Sequence, residues 1–200
     1  MRPSPLLPRS SRGLSPLFPL LPLLLLLLSL PACGRPGTDE ALEDIRAGLS
    51  GSVAFDAAIR ADYGDRVFDF SVRYASSGDG GTLTITAPEI IAGAVVRYSG
   101  GATALAVGDA EIYTGEILPG GLSPVDAVPV MLDTWVNGLV TETVGETLDG
   151  ADCVAALFRV DDDVDLRTWF DRETSLPLRA EFAFEGSTVI TAEFYDMEVG

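Results

Sequence analysis

There is no histidine and no lysine in these 200 residues. Without imidazole, neither a Ser-His-Asp nor a Cys-His nucleophile can be built, and histidine-ligated metal centres are excluded. Without lysine, serine–lysine chemistry is excluded, and every base is an arginine. Cysteine is scarce, with only Cys33 and Cys153, and no imidazole can activate either thiol. Bases are few, 13 against 30 acids, for a net charge of −17. So acidic a surface repels nucleic acid and anionic headgroups, and no nucleic-acid partner is expected. Long apolar runs are also missing. The uninterrupted run Leu23–Leu28 falls short of the roughly 20 residues that span a bilayer, and Pro16, Pro19 and Pro22 suit no spanning helix. The glycine-rich "GDGG" at 78–81 is too short for a phosphate loop and opens no helix. Carboxylates remain plentiful, but on an acidic surface they are solvated faces. The chain is therefore expected to be no enzyme and to need no cofactor or metal.

What is present begins at the N-terminus. Arg2, Arg9 and Arg12 precede an apolar stretch over 17–30, and the small residue Ala32 precedes Cys33, the anatomy of a secretory signal peptide. Leu30-Pro31-Ala32-Cys33 resembles a bacterial lipobox, with proline where a small or aliphatic residue is usual. The resemblance implies cleavage before Cys33 and acylation of that residue, for example by palmitate. The alternative is an ordinary signal peptide with an incidental cysteine. Each buried methylene contributes about 0.8 kcal/mol, so two or three chains anchor a protein stably. The expected layout is a leader at 1–32, a tether at 33–37 and a single domain at 38–200. The expected place is the extracytoplasmic face of a cell membrane. Removing the three leader arginines leaves ten bases against 30 acids, a mature charge of −20. No basic patch assists the lipid. With Cys33 acylated, Cys153 has no disulfide partner, and its strand-like surroundings "DCVAALFRV" predict burial as a small hydrophobe.

The mature chain changes period along its length. "TDEALEDIRAGLSG" predicts a short amphipathic helix, with Thr38 as N-cap, Asp39 and Glu40 in the first turn, and Leu42, Ile45 and Leu49 on one face. A period of two follows. Val53, Phe55, Ala57 and Ile59 oppose Ser52, Asp56 and Arg60; after the turn "YGDR", Phe68, Phe70, Val72 and Tyr74 oppose Asp69, Ser71 and Arg73. Short glycine-separated strands continue through "TLTITAP", "AVVRYS", "ATALAV" and "AEIYTG". Ser123-Pro124 then opens a second helix, with Val125, Val128, Met131, Leu132, Trp135 and Leu139 at helical spacing and Gly138 available to end it. Strands resume with "ETVGETLDG", "CVAALFRV" (burying Val154, Ala156, Phe158 and Val160), "LRTWFD", "LPLRAEFAFEG" (Leu178, Ala180, Phe182, Phe184 on one face) and "TVITAEFYDMEV". Tight connections make the sheet antiparallel, with one apolar and one solvated face. "DDDVD" at 161–165 alternates carboxylates as calcium loops do, but lacks their glycine and distal glutamate, and reads as an acidic turn.

At "TWFDRETSLPLRAEF", residues 168–182, the pattern becomes recognisable. A strand ending in aromatic-Asp, a turn carrying Glu-Thr, then Leu-Pro-Leu-Arg opening the next strand resembles the LolA-type lipoprotein-carrier superfamily. That group includes periplasmic lipoprotein carriers, mycobacterial glycolipid-carrier lipoproteins and clostridial germination lipoproteins. The resemblance covers 38–200 in element order and about fifteen residues in motif. It implies an α+β fold: a strongly curved antiparallel sheet, an incomplete barrel, with two helices covering its concave face and an apolar cavity between. The soluble carriers lack a lipidated cysteine, so the anchored branches fit better.

The residues agree on architecture. Closing the second helix over the aromatic face either packs a solid core or leaves a cavity. If a cavity forms, its lining is expected to be Phe55, Phe68, Phe70, Met131, Trp135, Phe158, Phe182 and Phe184. The leading expectation is a membrane-anchored, non-enzymatic lipoprotein binding a lipid or another apolar ligand. The alternative is a scaffold lipoprotein docking another envelope protein, such as a cell-wall or germination enzyme.

Overall fold

The computed structural model describes residues 37–77, 80–99, 102–107, 110–116 and 123–200. The expected leader, Cys33, the expected tether up to residue 36 and the first half of "GDGG" lie outside the described residues.

The described residues form two α-helices and eleven strands of one antiparallel sheet. Helix α1 (Thr38–Leu49) comes first. Strands β1 (Val53–Asp62), β2 (Val67–Ser77), β3 (Gly80–Ala87), β4 (Val95–Ser99), β5 (Ala102–Val107) and β6 (Ala110–Glu116) follow. Helix α2 (Pro124–Asn137) then precedes β7 (Leu139–Leu148), β8 (Ala151–Asp161), β9 (Val164–Asp171), β10 (Pro177–Phe184) and β11 (Ser187–Val199). The sheet order is β6-β5-β4-β3-β2-β1-β11-β10-β9-β8-β7, so β6 and β7 are its two edges and the barrel stays open. The sequence could not give this order directly. The last strand pairs with the first, with Ala57 opposite Phe194 and Ile59 opposite Ala192, and joins two meanders into one sheet.

Both helices start where local chemistry dictates. Ser123 accepts from the Asp126 N–H and Pro124 occupies the first turn of α2, where its missing N–H costs nothing. Pro129 sits inside the helix near that start. In α1, Asp39 and Glu40 favour the positive end and Arg46 the negative end. Thr38 is not the cap. Gly37 holds that position without a side-chain bond, and the Thr38 hydroxyl instead meets that of Thr143 at 3.3 Å. Leu139 also departs from expectation: it does not extend the face of α2. Gly138 ends the helix, its N–H returning to the Thr134 carbonyl at 2.8 Å, and Leu139 opens β7 with 67% of its surface exposed. A Cβ at position 138 would lie 2.5 Å from that carbonyl oxygen, so glycine permits the close exit.

The helices lie on one face of the sheet: α1 touches α2, β7 and β8, and α2 touches β1. Their buried residues join Phe55, Val72, Leu83, Val96, Phe158, Phe170, Phe182 and Phe194 in one core. Val160 is half-buried against that core. A second, smaller cluster sits on the opposite face around Cys153, Ala155 and Trp169. Leu178 belongs to it, against the expectation that it would share a face with Ala180. The register between β9 and β10 slips, with Pro177 opposite Phe170 but Arg179 opposite Trp169, and this bulge turns Leu178 outward. A 3-10 turn at Glu89–Ile91 was not legible in the sequence.

Candidate aromatic lip and concave face

Two rows of side chains cross the concave face, and they differ in size. One reads Val140, Phe158, Leu166, Phe182, Ile190, Ala61, Phe68, each opposite the next on neighbouring strands from β7 to β2. The other reads Ala156, Thr168, Ala180, Ala192, Ile59, Phe70. Four small residues in succession leave room above the sheet, and the Trp135 indole fills it. Its N–H donates to the Thr168 hydroxyl at 2.9 Å, and its ring meets Phe170 and Phe194 edge-on, at 5.9 and 5.3 Å between centroids. Small partners beneath a large indole are how close packing is reached without voids.

The eight side chains expected to line a cavity separate into two groups. Phe55, Met131, Trp135, Phe158 and Phe182 are at most 3% exposed and pack within the core. Phe68 and Phe184 are exposed at 42% and 39%, and Phe70 is half-buried. The three stand at one end of the half-barrel. β3 stops at Ala87, opposite Ser71, so residues 67–70 of β2 have no described strand beyond them. The two rows therefore run out at Phe68 and Phe70. There the rings stack at 6.3 Å, and Tyr63 from the β1–β2 turn continues the ladder at 6.4 Å. Tyr63 is 42% exposed; partial burial and the carboxylate of Asp126, at the start of α2, push its hydroxyl pKa up. Ile90, 91% exposed, follows β3 at the same end. The result is an apolar lip beside the first turn of α2.

Clefts border the described residues. One of about 440 Å³ lies between α1 and β7, one of about 400 Å³ opens where β3 leaves β2, and one of about 230 Å³ lies near Leu178 and Tyr195. Of the eight expected lining residues, Phe70 alone borders any of these three, the second. Sequence periodicity located the apolar face; it missed the lip, since Tyr63 lies in a turn. A cluster of tyrosine and phenylalanine flanking "YGDR" was the available signal.

Other groups are spoken for. Asp165 of "DDDVD" pairs with Arg159 at 2.6 Å, and Asp161 accepts from the Asp162 N–H at 2.8 Å. Cys153 is fully buried, its thiol facing the Ala151 carbonyl at 3.6 Å, and burial pushes its pKa up. A raised thiol pKa means less thiolate and less reactivity. On the outer face Glu146 accepts from the Trp169 indole at 2.7 Å and from Arg167, whose guanidinium lies 4.9 Å over the same ring.

No family model matches the chain, and no curated protein matches it. Solved structures do. An uncharacterised conserved protein from Thermus thermophilus is 10% identical with a TM-score of 0.51, over 81% of this chain and 86% of that one. A LolA superfamily protein from Nitrosomonas europaea is 14% identical with a TM-score of 0.45, over 83% and 94%. LprF from Mycobacterium bovis is 9% identical with a TM-score of 0.43, over 82% and 95%. At such identities the likeness is one of fold. By its strand order and helix placement the domain has an α+β fold, an open half-barrel of antiparallel strands with two helices against one face, and the Thermus protein shares that fold.

Proposed function

We propose that this protein is a non-enzymatic lipoprotein, anchored to the membrane through Cys33, that takes up an apolar chain at the aromatic lip. The observation that carries the reading is the Tyr63–Phe68–Phe70 ladder. Aromatic rings exposed together are unusual on a surface this acidic, and grouped apolar exposure marks binding. The ladder is continuous with the two rows that run under the helices. An acyl chain laid along it would gain gross affinity at roughly 25 cal/mol per Å² buried, less the cost of ordering. Phe184 offers a further ring at the open end. The core side chains Phe55, Met131, Trp135, Phe158 and Phe182 would be reached only if α2 lifts from its seat on Thr168.

The test uses the detergent-solubilised full chain. Titration with a fluorescent fatty acid is expected to saturate, and Phe68→Glu or Phe70→Glu to abolish saturation while circular dichroism stays unchanged. In a Trp169→Phe background the remaining indole, Trp135, reports whether α2 moves. Absence of saturable binding by fatty acid and phospholipid alike would end the lipid reading. Anchoring is tested separately. Cells fed tritiated palmitate are expected to label the native protein and not Cys33→Ser; an equally labelled variant would overturn it.

A further inference from the structure

Among the described residues, strand β7 is a ten-residue edge that bonds on one side only, to β8. Its sequence, "LVTETVGETL", is rich in valine and threonine and free of proline and lysine. Exposed edges of this length are templates for another strand, and proline, lysine and bulges blunt them; this edge carries one bulge, between Val140 and Glu142, and pairs regularly from Glu142 to Leu148. Beside this edge runs the cleft of about 440 Å³ between α1 and β7, bordered by Asp39, Glu43, Arg46 and residues 138–143.

The charge of the cleft is decided by who is already engaged. Arg46 is the only base among its described lining residues. Its guanidinium donates to the Gly138 carbonyl at 2.6 Å, lies 5.7 Å from the Phe158 ring centroid, and stands 3.9 Å from Glu43. Asp39 accepts from the Thr143 hydroxyl, which leaves its negative charge in place. Glu142 projects from the edge itself and is exposed. Three carboxylates against one committed guanidinium leave the field negative. Leu139, two-thirds exposed at the start of β7, adds an apolar contact.

We infer that the β7 edge and the cleft beside it receive an extended basic segment of a partner protein as an added strand. Backbone pairing to β7 supplies the affinity. Alternate side chains of an added strand face opposite sides, so one set of lysines or arginines meets Asp39 and Glu43 on the α1 side, where Thr143 points, and the other set meets Glu142. A second copy of this chain fits poorly. Pairing β7 with β7 would bring Glu142 and Glu146 of each copy against those of the other, and like charges across strands are destabilising. The site does not depend on the lipid reading, since β7 stands six strands away from β2 in the sheet.

The full chain in detergent is mixed at low salt with two synthetic octapeptides, one repeating lysine-lysine-valine-valine and one repeating glutamate-glutamate-valine-valine, so that each carries its charge on both faces of an added strand. Backbone hydrogen exchange is then followed segment by segment. The lysine peptide is expected to slow exchange over 139–146 and leave β6 unchanged, and the glutamate peptide to do neither. Glu43→Gln with Glu142→Gln is expected to weaken the lysine peptide about tenfold, equivalent to roughly 1.4 kcal/mol. Glu142→Lys is expected to shift preference toward the glutamate peptide, and both variants are surface changes that leave the melting temperature near that of the native protein. Equal protection by both peptides, protection confined to β6, or no protection at all would overturn the inference. So would disulfide cross-linking of two copies through Glu142→Cys, which would make the occupant a second copy.

Discussion

Trp135 and Thr168, 33 residues apart in sequence, are joined by a hydrogen bond of 2.9 Å inside the core. The bond ties α2 to the middle of the sheet and explains why a threonine with no exposed surface sits in a row of alanines. Thr168→Val keeps the shape and removes the acceptor. The indole N–H is then buried unpaired, at a cost of about 1–3 kcal/mol. Urea denaturation is expected to show that loss, and Trp135→Phe added to Thr168→Val to recover part of it. Additive effects in the double variant would mean that the bond contributes nothing to stability.

Phe182 and Phe184 share a strand and a face but not a fate. Phe182 is fully buried, whereas Phe184 lies 39% exposed at the open end. Phe182→Ala is expected to cost about 3–5 kcal/mol, through lost burial and the cavity left behind. Phe184→Ala is expected to stay within about 1 kcal/mol, as exposed substitutions do. Equal losses would show that the lip is part of the packed core.

Burial pushes the hydroxyl pKa of Tyr98 well above its ordinary value, with Asp126 and Tyr74 adding to the shift, and burial does the same to Tyr74. The sign follows from linkage. Between the unfolded pKa of about 10 and the higher folded one, the unfolded chain has released protons that the native state holds. Stability is therefore level below about pH 10 and falls as pH rises above it. Denaturation midpoints at pH 8, 10 and 11 are expected to trace this, with a shallower fall in Tyr98→Phe. An unchanged slope in that variant would place the alkaline loss elsewhere.

Cys153 is walled in by Ala155, Trp169 and the bulged Leu178. With its thiol pKa raised by burial, an aromatic disulfide reagent is expected to react slowly with the native protein. Urea should speed the reaction in parallel with unfolding. Rapid reaction without denaturant would show that the outer cluster opens on its own.

What the chain's residues determine by themselves is considerable. Alternation over Val53–Ile59 and over Ala180–Phe184 fixes which face each strand buries, because successive side chains in a strand point to opposite sides. Ser123-Pro124 and Gly138 set the start and end of α2 through backbone geometry that acts within a few residues. The missing histidine and lysine exclude whole classes of chemistry without reference to any fold. Other features depend on partners distant in the chain. The closure of β11 on β1 brings position 57 against 194, a pairing that no local pattern encodes. The bulge that turns Leu178 outward is a mismatch between two strands, and it exists only once they pair. Phe68 and Phe158 have the same period-two signature, and they even end up in one cross-strand row. Phe158 is sealed because α1 lies over it; Phe68 is open because β3 has already left the sheet beside it. Whether an aromatic side chain becomes core or lip is decided by where the covering elements stop, and that is a property of tertiary structure.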